Sequence, residues 1–151
     1  MYDKNVSIRE VTFGANVTII QPSNLYECKL GDEVFVGPFV EIQRGVTVGN
    51  RTKVQSHSLV CELVTIGDDC FIGHGVMFIN DKFSEGGPSG GDPLKWKATH
   101  IGNHVSIGSN ATILPVQIVD NVVIGAGSVV TKNISESGVY VGNPARKIRE
   151  L

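Results

Sequence analysis

The chain has 151 residues, with 41 % apolar and 19 % charged side chains and a formal net charge of −2. That length and balance fit one soluble globular domain and exclude a disordered chain. No basic run, signal-like leader or apolar stretch of membrane length stands out, so neither nucleic acid nor membrane is expected as a partner.

Residues 1–29 keep a six-residue rhythm only loosely, through Val6, Val11 and Val17, and are expected as an irregular capping coil. From Leu30 the rhythm is strict. Leu30, Val36, Ile42, Val48, Val54, Val60, Ile66, Ile72 and Phe78 step by six without a miss. An α-helix would need spacings of three and four. The next residue is often glycine, as at Gly31, Gly37, Gly49, Gly67 and Gly73, which suits a repeated tight corner. Four residues after each repeat apolar come small or β-branched side chains such as Val34, Val40, Thr52, Ser58 and Cys70. Strand, corner, strand, corner is the reading. Three such units close a triangular coil of eighteen residues, and stacked coils make a parallel β-helix.

The rhythm breaks after Phe78 and resumes at Ile101, seventeen residues late. Residues 82–99 are therefore expected to leave the coil as a loop carrying Gly86, Gly87, Gly90, Gly91 and the sole tryptophan, Trp96. A loop of that length is usually functional or mobile. It is expected to line a ligand site or a subunit interface; a mobile insertion is the plain alternative. Ile101, Ile107 and Ile113 restore the period, which slips by one residue to Ile118, Ile124 and Val130. Residues 133–151 lose it and are expected to cap the last coil, protecting a sheet edge. Cys28, Cys61 and Cys70 show no metal-like spacing and read as reduced thiols of a cytoplasmic protein.

Side chains eighteen apart share a column, separated by about 4.8 Å. Arg44, Glu62 and Asn80 form one, and Asp81 follows where the loop departs. A cation, two carboxylates and an amide at a loop root suit a polar substrate bearing an amine. The alternative is a solvated column with a weak Arg–Glu pair. His57 and His74 lie one coil before the loop and beside it, where imidazole could serve as general base or simply sit on the surface.

The six-residue repeat resembles the hexapeptide acyltransferase superfamily. The stretch from Ile124 to Lys132 and the ending Val141-Gly142-Asn143-Pro144-Ala145-Arg146 resemble its coenzyme A end. The stretches Val54 to His57, Cys61 to Gly67 and Met77 to Asp81 are similar to N-acetyltransferases of nucleotide-linked 3-amino sugars, as is the five-residue step through Ile113 to Gln117. The resemblance implies a left-handed coil, since parallel crossovers are otherwise right-handed. It implies homotrimers with the active site in the cleft between adjacent helices, and acetyl-CoA as co-substrate without a metal. Glu62, Asn80 and Asp81, with Arg44 and His74, would surround the amino sugar, and Trp96 would cover the cleft. Ser106, Gly108, Ser109 and Ala126, with Lys132 and Arg146, would hold coenzyme A.

The expected reaction is attack of an amine on the thioester, with Glu62, Asn80, Asp81 and His57 as the catalytic candidates. Three rivals stay open. Transfer to a sugar hydroxyl would put weight on His57. A metal lyase resembling the γ-class carbonic anhydrases would need three histidines around zinc, but His57 and His74 are seventeen apart and His100 and His104 only four. A non-catalytic trimeric scaffold would bind no acetyl-CoA.

Overall fold

The computed structural model describes residues 7–151, so Val6 lies outside the described residues. Among these residues, twenty-one short strands and one 3-10 turn follow in chain order. Among the described residues every third strand joins the same sheet up to the nineteenth, and the last two both extend one wall, giving sheets of seven, six and eight strands. The pairings are parallel except at the C-terminal end. The result is a triangular prism whose walls are the three sheets.

The six-residue period produces this because each two-residue strand turns one side chain in and one out. Ile42, Val60 and Phe78 stack inward on the seven-stranded wall; Val48, Ile66 and Ile101 do so on the six-stranded one; Val54, Ile72 and Ile107 line the eight-stranded one. Corner residues four places on are buried too, among them Val34, Thr52, Ser58, Cys70 and Val76. The two hydroxyls donate to corner carbonyls, Thr52 to Gly67 and Ser58 to Gly73, both at 2.8 Å. Each also accepts a backbone N–H from the next coil, of Cys70 and Val76. No described buried side-chain polar atom lacks a partner.

Each corner divides its geometry between two residues. The left-handed backbone falls three places after the repeat apolar, at Glu33, Phe39, Arg51, His57, Leu63, Asp69 and Gly75. The glycine directly after the apolar serves close approach instead. A Cβ at Gly73 would meet the Ile107 carbonyl oxygen at 2.7 Å and the Ser109 nitrogen at 2.8 Å.

One edge, between the six- and eight-stranded walls, is sewn by a ladder of short polar side chains. Asn50 Oδ1 accepts the N–H of Asp32, Asp68 Oδ1 that of Asn50, and Asn103 Oδ1 that of Asp68, each at 2.8 Å. Asp120 continues it to Asn103 at 2.7 Å. Arg51 and Asp69 add a two-point ion pair at 2.7 and 2.8 Å on the same edge.

The described part of the first coil is more regular than its sequence. Ile8–Arg9, Thr12–Phe13 and Thr18–Ile19 place one strand in each wall. The long interruption sits at the corner between the seven- and six-stranded walls. Val64 pairs with Thr99 across it, and Thr99 is already strand, so the loop closes before 99. At the other end, Gly138–Val141 extends the eight-stranded wall in parallel, and Arg146–Arg149 folds back antiparallel on it. The regular rhythm is lost there because the corner shortens, yet the sheet continues.

Candidate active site

The loop edge, where the chain passes from the seven- to the six-stranded wall, gathers most of the expected acceptor residues. The register places Arg44, Glu62 and Asn80 in one column, with Lys132 two coils further along. Arg44 does not pair with Glu62. Its Nε bonds the Glu27 carboxylate at 2.9 Å, one coil back. Asn80 Nδ2 donates to the Glu62 backbone carbonyl at 3.3 Å, and Glu62 N–H donates to Gln43 Oε1 at 3.2 Å. These bonds hold the Glu62 backbone. Its half-buried carboxylate makes no hydrogen bond or ion pair with the described residues, so its lone pairs are available to a ligand. Tyr26 lies close by, where burial, then the Glu41 and Glu62 carboxylates, push its phenol above its ordinary value.

Asp81 and Trp96 close the loop root as an antiparallel pair, and Asn80 carbonyl accepts the Lys97 N–H at 2.9 Å. Asp81 carboxylate accepts the N–H of Phe83 at 2.8 Å and of Ser89 at 3.2 Å. Trp96 Nε1–H donates to Ser89 Oγ at 2.9 Å. Asp92 accepts the Leu94 N–H and caps the turn Pro93–Lys95.

The corner between the eight- and seven-stranded walls carries a second group. Ser56, His74, Ser109 and Ala126 stack in one column. Ser56 Oγ lies 2.9 Å from His74 Nδ1. His57 falls in the neighbouring column, left-handed at φ 64°, with its ring 4.9 Å from that of Phe39. Gly108 packs so tightly that a Cβ would strike the Ala126 backbone nitrogen. Ser106 faces outward on the adjoining strand, between Phe71 and Val123.

Lys132 and Arg146 come together at the C-terminal end, lining an open cavity of about 300 Å³ with Tyr140 and Lys147. Cations there favour a phosphate-bearing ligand. Of the other two histidines, His100 lies on the six-stranded wall between Thr65 and Gln117, and His104 on the ladder edge near Asp69. No cluster of three or more His, Cys, Asp or Glu side chains with metal-site geometry occurs among the described residues.

The expected site residues thus occupy two edges that flank the seven-stranded wall. One copy of the chain does not bring the two groups face to face. Sequence reading also missed two features. The Asp32–Asn50–Asp68 ladder repeats every eighteen residues and was legible as a column. The Ser56–His74 contact has the same spacing; His74 stood out as a histidine, but nothing about Ser56 flagged it as the partner.

A prism of hexapeptide corners, with one corner opened into a long loop, defines a parallel β-helix. Residues 27–62 match the bacterial transferase hexapeptide family, and residues 63–77 and 99–132 match the hexapeptide repeat of succinyl-transferase, with the break falling at the loop. The chain belongs to the hexapeptide-repeat transferases, and its fold is their left-handed parallel β-helix.

Among curated relatives it is 32 % identical to the bifunctional protein GlmU of Clostridium acetobutylicum, over 97 % of this chain and 33 % of that one. The GlmU of Streptococcus uberis is 33 % identical over 87 % of this chain and 30 % of its own. The chain therefore spans about a third of the curated relatives it matches. Among solved structures, a mutant of AntD, an N-acyltransferase from Bacillus cereus, in complex with dTDP and coenzyme A, superposes with TM-score 0.79 at 25 % identity, covering 92 % of this chain and 83 % of that one. A galactoside acetyltransferase in complex with coenzyme A gives TM-score 0.68 at 34 % identity, over 80 % and 64 %. A perosamine N-acetyltransferase from Caulobacter crescentus shares the fold at 19 % identity, with TM-score 0.67 over 90 % and 56 %.

Proposed function

We propose that the protein is an acetyl-CoA-dependent N-acetyltransferase for the amine of a nucleotide-linked amino deoxysugar, with the 3-amino position preferred. The observation that carries this reading is the loop edge, where the uncommitted Glu62 carboxylate stands beside Asn80 at the loop root. The AntD complex with dTDP and coenzyme A supports the pairing of a nucleotide with an acyl donor. The coenzyme A complex of galactoside acetyltransferase supports the donor.

Acetyl-CoA is a substrate, with its phosphates near Lys132 and Arg146 and its arm along Ser106, Gly108, Ser109 and Ala126. The two edges then meet across adjacent copies of a homotrimer. Glu62 accepts a hydrogen bond from the acceptor amine and turns its lone pair toward the thioester, while Arg44, Asn80 and Trp96 border the sugar. The nitrogen bonds to the carbonyl carbon, and a corner N–H receives the oxyanion. The C–S bond breaks, and the departing thiolate takes the proton from nitrogen. Holding both reactants together supplies much of the rate, as effective molarity. Three buried free thiols agree with work in the cytoplasm.

A second reading, transfer to a sugar hydroxyl, is favoured by the Ser56–His74 contact, because an imidazole fixed by a neighbour suits a general base. Thiol release from acetyl-CoA, followed across dTDP- and UDP-linked 3-amino and 4-amino sugars, tests the main reading. Turnover of one amino sugar supports it. Silence in protein that binds acetyl-CoA points to another acceptor; silence without binding ends the transferase reading.

A further inference from the structure

The long loop has little to hold it except its root. Gly86, Gly87, Gly90 and Gly91 adopt positive φ, and no atom beyond the adjoining residues lies within 4 Å of where a Cβ would stand on any of them. Phe83 and Leu94 are 60 % and 84 % exposed. Such a segment buries too little apolar surface to offset the entropy of ordering it. The Lys95–Glu85 pair at 2.7 Å is exposed and contributes little.

Asp81 supplies what the loop lacks. One carboxylate oxygen accepts the Phe83 N–H at 2.8 Å and the other the Ser89 N–H at 3.2 Å. Ser89 then accepts the Trp96 indole N–H at 2.9 Å, and Trp96 pairs back onto Asp81 through the backbone. Asp81, Ser89 and Trp96 form a closed circuit. Both oxygens of Asp81 are engaged by the chain's own amides, whereas the Glu62 carboxylate is not engaged.

We propose that Asp81 is a positioning residue that folds the loop root and sets Trp96 at the border of the acceptor site, so that acceptor selection acts through Trp96 and not through contact of Asp81 with the amine. The acceptor side of this inference rests on the function proposed above; the loop circuit does not.

Trp96 is the sole tryptophan, so its fluorescence reads the loop directly. The test compares wild type with Asp81→Ala, Asp81→Asn and Ser89→Ala. In Asp81→Ala the emission should shift to the red, and trypsin should cut at Lys82, Lys95 and Lys97 about tenfold faster. The KM for the acceptor should rise about tenfold, while kcat stays within about threefold and the KM for acetyl-CoA is unchanged. Asp81→Asn keeps one acceptor oxygen and should fall between, with a pH–rate profile of wild-type shape. Ser89→Ala should move the Trp96 emission in the same direction and covers the case in which Asp81→Ala does not fold. Unchanged Trp96 emission, together with a kcat loss beyond about 10³-fold at constant KM, would overturn the proposal and make Asp81 a general base. If wild type turns over no amino sugar, the functional reading fails, while emission and proteolysis still decide the role of Asp81 in the loop.

Discussion

Ser56 Oγ and His74 Nδ1 stand 2.9 Å apart on neighbouring coils of one edge, leaving Nε2 of the ring for other partners. His57, the next residue along from Ser56, lies in a different column and packs its ring at a tilt against Phe39. Hydroxyl transfer needs a fixed base of this kind, whereas an amine can attack unaided and lose its proton to the thiolate. His74→Ala should therefore keep kcat on an amino sugar within about tenfold of wild type, and His57→Ala should be nearer still. A loss beyond about 10³-fold in His74→Ala would assign general-base catalysis to that ring.

The two edges flanking the seven-stranded wall give a subunit-mixing prediction. Asn80→Ala disables the loop edge, and Ser109→Trp blocks the other. Each variant alone should be nearly inactive. If a site takes one edge from each of two copies, random mixing should restore about a quarter of wild-type activity, because that share of interfaces has both edges intact. No recovery on mixing, with assembly verified by light scattering, would mean that a single copy supplies both.

Glycine after the repeat apolar and glycine in the left-handed place should respond differently to alanine. Gly45 has φ 75° with open space around it, so Gly45→Ala should cost only about 1 kcal/mol of backbone strain. Gly73→Ala drives a Cβ against backbone of the next coil and should cost about 3 kcal/mol, the upper range of overpacking. Thermal unfolding of the two variants checks the order.

Cys28, Cys61 and Cys70 are 2 %, 5 % and 3 % exposed. Burial pushes the Cys28 thiol up to about 11 and the Cys61 thiol up to about 12, and it raises Cys70 as well. Raised values keep these groups protonated and unreactive through mildly alkaline pH. A thiol reagent at pH 8 should therefore label none of the three in native protein and all three in denaturant. Labelling of native protein would show that the coils open.

The core was readable from the six-residue step alone, since Leu30 to Phe78 and Ile101 to Val130 land inside as spaced. Column membership followed from the same arithmetic, which put Arg44, Glu62 and Asn80 together. Side-chain partners did not follow, because a column has neighbours on both sides: Arg44 turned back to Glu27 and not forward to Glu62. The first coil and the C-terminal strands were harder to read because strand pairing there survives a shortened coil, by one residue where Ile8 lies opposite Leu25 and by two where Val122 lies opposite Gly138. The Asp81 circuit depends on loop backbone that no periodicity describes.

The measurement that bears most directly on the proposed function presents the enzyme with a matched pair of nucleotide sugars, identical except for an amine or a hydroxyl at one carbon. Thiol release should be seen with the amino sugar alone, and NMR of the product should place the acetyl group on nitrogen. Turnover of the hydroxy sugar with the amino sugar inert would contradict it and make the Ser56–His74 pair the centre of an O-acetyltransferase.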